Sequence, residues 1–186
     1  MGQFQFEKTA LDGALLITPK VYPDARGSFC ETYHEADFGK AGIFARFIQH
    51  NQSVSKRGVI RGLHFQKQHP QAKLVWVPFG EVFDVAVDLR PQSHTFQKWH
   101  GIVLSGDNRR MLYLPEGFAH GFYVLSDTAV FSYACTRYYE PDDEGAIRWD
   151  DPDLCIDWPL PKGAEPILSR KDKHNPFLRE ALEQLK

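Results

Sequence analysis

Cysteine is scarce in this chain of 186 residues, and Cys30, Cys135 and Cys155 lie too far apart for a disulfide framework or a Cys-x-x-Cys site. They suit a reducing compartment and read as small buried apolar fillers. No run of roughly 18 apolar residues is present, which excludes a membrane-spanning helix. The opening MGQFQFEKTALDGALLI lacks the basic start and long apolar centre of a secretory leader, so the chain is expected to work in the cytoplasm. For the same reason the sequon Asn51-Gln52-Ser53 reads as accidental. An excess of charge of one sign is also missing: 22 Lys and Arg against 24 Asp and Glu leave a formal net charge of -2. Mixed along the chain, these charges offer no footprint for nucleic acid or an anionic membrane, and any anionic ligand must be met by local cations. Nor is there an internal repeat, low-complexity tract or linker. A chain of this length with 42% hydrophobic residues is expected to form a single domain over residues 1–186 with a sizeable core.

What is present is a succession of short runs rich in β-branched and aromatic residues: ALLITP, FIQHNQSV, GVIRGLHF, KLVWVP, EVFDVAVDL, WHGIVLS, RMLYLP, HGFYVLS and AVFSYACTRYY. Separated by Gly, Pro, Asn and Asp, they predict an all-β sandwich or barrel. In EVFDVAVDL, Val82, Asp84, Ala86 and Asp88 share one face and Phe83, Val85, Val87 and Leu89 the other. The two aspartates either line a ligand cavity or face water outside the sheet, and alternation alone does not choose. Near the end, Asn175-Pro176 is suited to cap and open a helix over about 176–185, with Leu178, Ala181, Leu182 and Leu185 on one stripe. A weaker helical turn is expected at 34–42, and EPDDEG at 140–145 reads as a solvated acidic loop.

Among eight histidines, His64 and His120 stand beside strand-like runs and glycines. PEGFAHGF, which holds His120, resembles the second motif of the cupin superfamily, whose members often bind a metal. Where such proteins carry His-x-His this chain has His64-Phe65-Gln66, and neither Glu81 nor His69 restores the spacing, so no catalytic metal is expected. A histidine that binds no metal is suited to acid-base work, with its ordinary pKa of about 6.5. His64 has company: Arg61 can pair with phosphate or carboxylate, and Lys73 opens the strand KLVWV. In a regular strand Arg61 and His64 face opposite ways, unless Gly62 hosts a bulge. Tyr133 shares a face with Phe131 and Cys135 and is either core or a phenolic acid.

Together, DARGSFCE, QHNQSVS, GVIRGLHFQ, KLVWVPFGEVFDVAVDLR, NRRMLYLPEGFAHGF, YACTRYYEPDDEGAIRWDD and LSRKD resemble the dTDP-4-dehydrorhamnose 3,5-epimerase family, in order from about Leu16 to Asp172. The resemblance implies a cupin-type jelly roll with short peripheral helices, acting without cofactor or metal on a dTDP-4-keto-6-deoxyhexose. It also implies a homodimer that exchanges an N-terminal strand. Carried over residue by residue, it implies His64 as base, Asp172 as its partner carboxylate, Lys73 near the developing enolate and Tyr133 as the acid on the other face. Arg61 is implied on the diphosphate, Gln49 and Asn51 near nucleotide and sugar, and Tyr139 against the base. His120, Glu144 and Lys171 match further binding positions, while Arg26 and Glu31 match residues that arrive from a partner subunit. Ser28, His50 and Trp76-Val77 depart from the family pattern, and none of these departures removes a proposed catalytic residue.

Overall fold

The computed structural model describes residues 2–185, and most of its regular elements are antiparallel strands. One sheet has six strands in the order β1 (Phe4–Lys8), β2 (Leu15–Pro19), β10 (Met111–Leu114), β7 (Lys73–Phe79), β12 (Thr128–Cys135) and β5 (Gln49–Lys56). The other runs β13 (Glu144–Ala146), β6 (Ile60–Gln66), β11 (Phe118–Val124), β8 (Glu81–Asp88) and β9 (Trp99–Ser105). Neighbours far apart in sequence, such as β12 beside β5 and β11 beside β6, give the crossing connections of a jelly roll. A separate hairpin, β3 (Val21–Asp24) with β4 (Gly27–Cys30), is exposed along nearly its whole length.

Alternation decides which residues the sheets enclose. Val75, Val77, Leu112, Leu114, Ala129 and Phe131 from one sheet meet Val82, Ala86, Leu104, Phe118, Phe122 and Val124 from the other. Phe122 and Phe131 stack with ring centroids 4.1 Å apart, bridging the layers. Truncating such a ring to alanine costs about 3–5 kcal/mol. The opposite face of the five-stranded sheet, with Leu63, Phe65, Val85 and Val87, is covered by Ile147, Leu154, Trp158 and a C-terminal helix, α2 (Leu178–Glu183). On the outer face of the six-stranded sheet, Ile17, Leu74 and Ala134 receive Phe38 of α1 (Glu35–Lys40) and Ile43.

All nine sequence-predicted runs form strands, and Asp84 and Asp88 point inward, both with no exposed surface. Three expectations need correction. The C-terminal stripe does pack inward, yet α2 starts only at Leu178 with Phe177 as its cap residue. The buried carboxylate of Asp151 accepts the Leu178 N–H at 2.7 Å, so a remote side chain supplies the cap that Asn175 was expected to give. The segment 140–145 is solvated only in its first half: Glu140, Pro141 and Asp142 are exposed, but Asp143 is buried and accepts the backbone N–H groups of Gln68 and His69 at 2.8 Å each, and Glu144 begins β13. Cys135 is a buried filler, but Cys30 is half-buried and Cys155 is exposed. Strand β1 and the hairpin β3–β4 were missed, because their apolar residues are too few to stand out from loop composition.

Candidate active site

At one end of the sandwich, polar side chains replace the aliphatic filling. Two adjoining cavities of about 280 and 260 Å3 share His64, Lys73 and Tyr133 in their walls. Gln49, Asn51, Tyr139 and Glu144 line the first; Arg61, His120, Lys171 and Asp172 line the second.

Local backbone geometry makes this grouping possible. Along β6 and β11, His120 pairs with His64 and Phe122 with Arg61, so two steps on β11 match three on β6. The extra residue resets the alternation, and Arg61 and His64 enter the same cleft while Leu63 and Phe65 keep to the core. Gly62 holds φ at +125°, and a Cβ there would sit 2.5 Å from the Gly121 Cα. A Cβ on Gly121 would lie 2.7 Å from the Arg61 carbonyl oxygen, so both glycines are required for the close approach of the two strands.

His64 Nε2 lies 2.6 Å from Asp172 Oδ1. With that nitrogen's hydrogen donated to the carboxylate, Nδ1 keeps its lone pair; Glu144 Oε1 lies 4.0 Å from it. Asp172 is buried, which by itself raises its pKa; the hydrogen bond and charge of His64, then Ser169 and Asn175, outweigh burial and hold the carboxyl below its ordinary value. Glu144 behaves similarly: burial pushes it up, but Lys171, Tyr139 and His64 bring it down. The Tyr139 hydroxyl donates to Glu144 Oε2 at 2.7 Å and Lys171 pairs with the same oxygen. That acceptor pushes the Tyr139 phenol up to about 12.

Lys73 and Tyr133 stand on β7 and β12 of the six-stranded sheet, facing His64 on β6 of the other. Burial lowers the Lys73 pKa, opposed by the charges of Cys135, Glu144 and Asp84. Burial likewise raises the Tyr133 phenol, which keeps its proton at neutral pH. His120 Nε2 lies 2.8 Å from Asp84 Oδ2, and its ring stacks on Phe131 at 5.7 Å. Asp84 Oδ1 is buried and has no hydrogen-bond partner among the described residues.

Gln49 is committed within the protein: it accepts the Tyr139 N–H at 2.8 Å and donates to Asn51 Oδ1 at 3.0 Å. Arg61 donates to Ser55 Oγ at 3.0 Å, leaving its terminal nitrogens to the cleft. Arg26 and Glu31 line neither cavity. Arg26 sits on the hairpin turn, paired with Asp24 at 2.6 Å, and Glu31 Oε2 is buried with no hydrogen-bond partner among the described residues. Sequence reasoning missed Gln66, whose buried amide accepts the Glu140 N–H and donates to the His69 and Tyr138 carbonyl oxygens, clamping the segment that carries Tyr139. It also missed Ser169, although Ser169-x-x-Asp172 has the spacing of a capping box, a signal that could have revealed the contact.

Comparison with known proteins fits this geometry. A profile of the family described as dTDP-4-dehydrorhamnose 3,5-epimerase matches residues 8–180. A curated dTDP-4-dehydrorhamnose 3,5-epimerase from Methanothermobacter thermautotrophicus is 54% identical over 180 residues, covering 97% of each chain. Among solved structures, a dTDP-6-deoxy-D-glucose-3,5-epimerase from Legionella pneumophila, in complex with dTDP-4-keto-L-rhamnose, superposes with a TM-score of 0.90 at 49% identity. The match covers 95% of this chain and 93% of that one. A 3'-monoepimerase from Streptomyces bikiniensis in complex with dTDP-quinovose is similar at 33% identity and a TM-score of 0.86, covering 95% and 89% of the two chains.

Proposed function

The chain belongs to the dTDP-4-dehydrorhamnose 3,5-epimerase family, and we propose that it inverts C3 and C5 of its substrate with His64 as base and Tyr133 as acid. It is an isomerase that converts dTDP-4-dehydro-6-deoxy-α-D-glucose to dTDP-4-dehydro-β-L-rhamnose, a step of dTDP-L-rhamnose biosynthesis. The observation that carries the residue roles is the opposition of the two walls. His64 projects from one sheet and Tyr133 with Lys73 from the other, so a sugar ring between them meets a base on one face and a phenol on the other.

The C4 ketone makes the hydrogens at C3 and C5 acidic, because the electrons left behind move onto its oxygen. His64 Nδ1 takes the proton, and the imidazolium is supported at Nε2 by Asp172. Lys73 stabilises the enolate oxygen, with a strength increased by its burial. Tyr133 returns a proton to the opposite face; once water has taken the proton from His64 and given one back to the Tyr133 phenolate, the same steps at the second carbon complete the double inversion. Arg61 and Lys171 supply the local positive charge for the diphosphate that the near-neutral net charge demands. Gln49, Asn51, Glu144 and His120 shape the sugar and nucleotide sites, and Tyr139 stacks on the base.

The assembly in this reading is a homodimer within one cytoplasmic compartment, each chain a single domain. The exposed hairpin bearing Arg26, continuing to Glu31, reaches into the partner's nucleotide site by exchange of an N-terminal strand. Its support is that this hairpin joins neither main sheet and that neither residue reaches the cleft of its own chain. Sedimentation of the intact protein checks the dimer.

Proton NMR in deuterated water, with dTDP-4-keto-6-deoxyglucose, a chelator and a reductase to trap product, tests the chemistry. The expected result is deuterium at C3 and C5 and trapped L-rhamnose. His64→Ala is expected to slow exchange at both carbons roughly 100- to 10,000-fold while nucleotide-sugar binding survives. Unchanged exchange in that variant defeats the assignment of the base.

A further inference from the structure

The turn that carries Asp172 contains more than the carboxylate. Ser169 Oγ accepts the Asp172 N–H at 3.0 Å and donates its own hydrogen to Asp172 Oδ2 at 2.9 Å. Asn175 Nδ2 donates to Oδ1 at the longer distance of 3.4 Å. Each carboxylate oxygen is therefore assigned: Oδ2 to Ser169, Oδ1 to His64 and Asn175. Ser169 also lines the cleft, and Asn175 is 7% exposed.

This arrangement constrains rotation of the Asp172 side chain. A carboxylate free to turn can present either oxygen, or neither, to the imidazole; with Oδ2 tied to its own turn, Oδ1 stays directed at His64 Nε2. Consequently the Nε2 hydrogen is the one retained, and Nδ1 is the atom left to accept a proton. The backbone supports the same geometry, since the Lys173 N–H donates to the Ser169 carbonyl at 3.2 Å and the His174 N–H to that of Lys171 at 2.9 Å. Asn175 is available because Asp151 caps α2 in its place.

We propose that Ser169, assisted by Asn175, is the positioning residue of the His64–Asp172 pair, selecting the histidine tautomer whose Nδ1 acts as base. The inference rests on the assignment of His64 as base, which the His64→Ala exchange experiment tests separately. Ser169 bonds to Asp172, whose pairing with His64 serves the proton transfer, so its removal is expected to lower kcat and to leave KM for the nucleotide sugar unchanged.

The test combines steady-state kinetics with 15N NMR of histidine-labelled full-length enzyme for Ser169→Ala, Ser169→Thr and Asn175→Ala. In the unaltered enzyme His64 is expected wholly as the Nε2–H form. Ser169→Ala is expected to lower kcat roughly 10- to 100-fold, the scale of one hydrogen bond to a charged group, with mixed tautomers and unchanged KM. Ser169→Thr, which keeps the hydroxyl, is expected to restore both, and Asn175→Ala to show the same change more weakly. Wild-type kcat in Ser169→Ala, or a loss of kcat with the Nε2–H form intact, overturns the proposal even if His64→Ala is inactive.

Discussion

Two histidine–aspartate pairs face the same cleft, and their surroundings differ sharply. In one, the His64 side chain is 30% exposed and Asp172 is held by Ser169 and Asn175. In the other, the His120 side chain is 8% exposed, stacked on Phe131, and bonded to an Asp84 with no exposed surface. A proton carrier needs one nitrogen anchored and one open to the substrate, and the first pair meets that requirement. The second is embedded in the aromatic core, with its carboxylate taken out of water and one oxygen unpaired. Chemically similar pairs thus stand in different environments, and burial rather than residue type separates them.

The difference is sharpest when each pair is broken. Asp84→Ala leaves His120 without its buried partner and is expected to destabilise the fold by about 3 kcal/mol, measured by urea unfolding. Asp172→Ala, beside a more exposed histidine, is expected to reduce turnover far more than stability. Equal unfolding midpoints for Asp84→Ala and the unaltered protein, with equal activity, would remove the distinction.

A smaller effect separates the two walls. Tyr133→Phe removes the phenolic proton without changing ring packing, so exchange at C3 is expected to persist while the second inversion slows or stops short. Deuterium incorporation at each carbon, followed in time, gives the answer; wild-type double inversion rules out Tyr133 as the acid. The outcome bears directly on the likeness to the single-centre enzyme from Streptomyces bikiniensis.

The smallest effect concerns a third carboxylate, Asp88, which lines neither cavity. Burial alone would raise Asp88, but hydrogen bonds from Arg90, Ser93 and Thr95 lower it to about 2. Because the folded value lies below the unfolded value of about 3.9, its contribution is fully present above about pH 5 and is lost as pH falls through about 2. Asp88→Asn is therefore expected to lower the melting temperature at pH 6 and to matter progressively less towards pH 2, as thermal unfolding across that range would show. An equal penalty at both ends contradicts the linkage.

Strand positions were legible because alternating β-branched and aromatic runs, bounded by turn residues, are a local property of the chain. The stripe Leu178, Ala181, Leu182 and Leu185 was legible for the same reason, whereas the helix boundary was not, since its cap comes from Asp151, 27 residues away. Likewise the acidic composition of 140–145 concealed an ordered turn whose backbone partners lie at Gln68 and His69. The candidate site was readable as ordered motifs, but the contacts that organise it were mostly hidden.

By itself, the sequence determined the all-β character, the need for local cations around any anion, and the presence of His64, Lys73, Tyr133 and Asp172. Tertiary structure alone decided that Asp84 and Asp88 face inward, that Arg61 and His64 share a cleft, and that Asn175 serves Asp172 instead of the helix. The reason is physical: alternation is set within a strand, but which face is enclosed, and where a bulge reverses it, depends on the strand lying across. At Gly62 that strand approaches so closely that only glycine fits on either side.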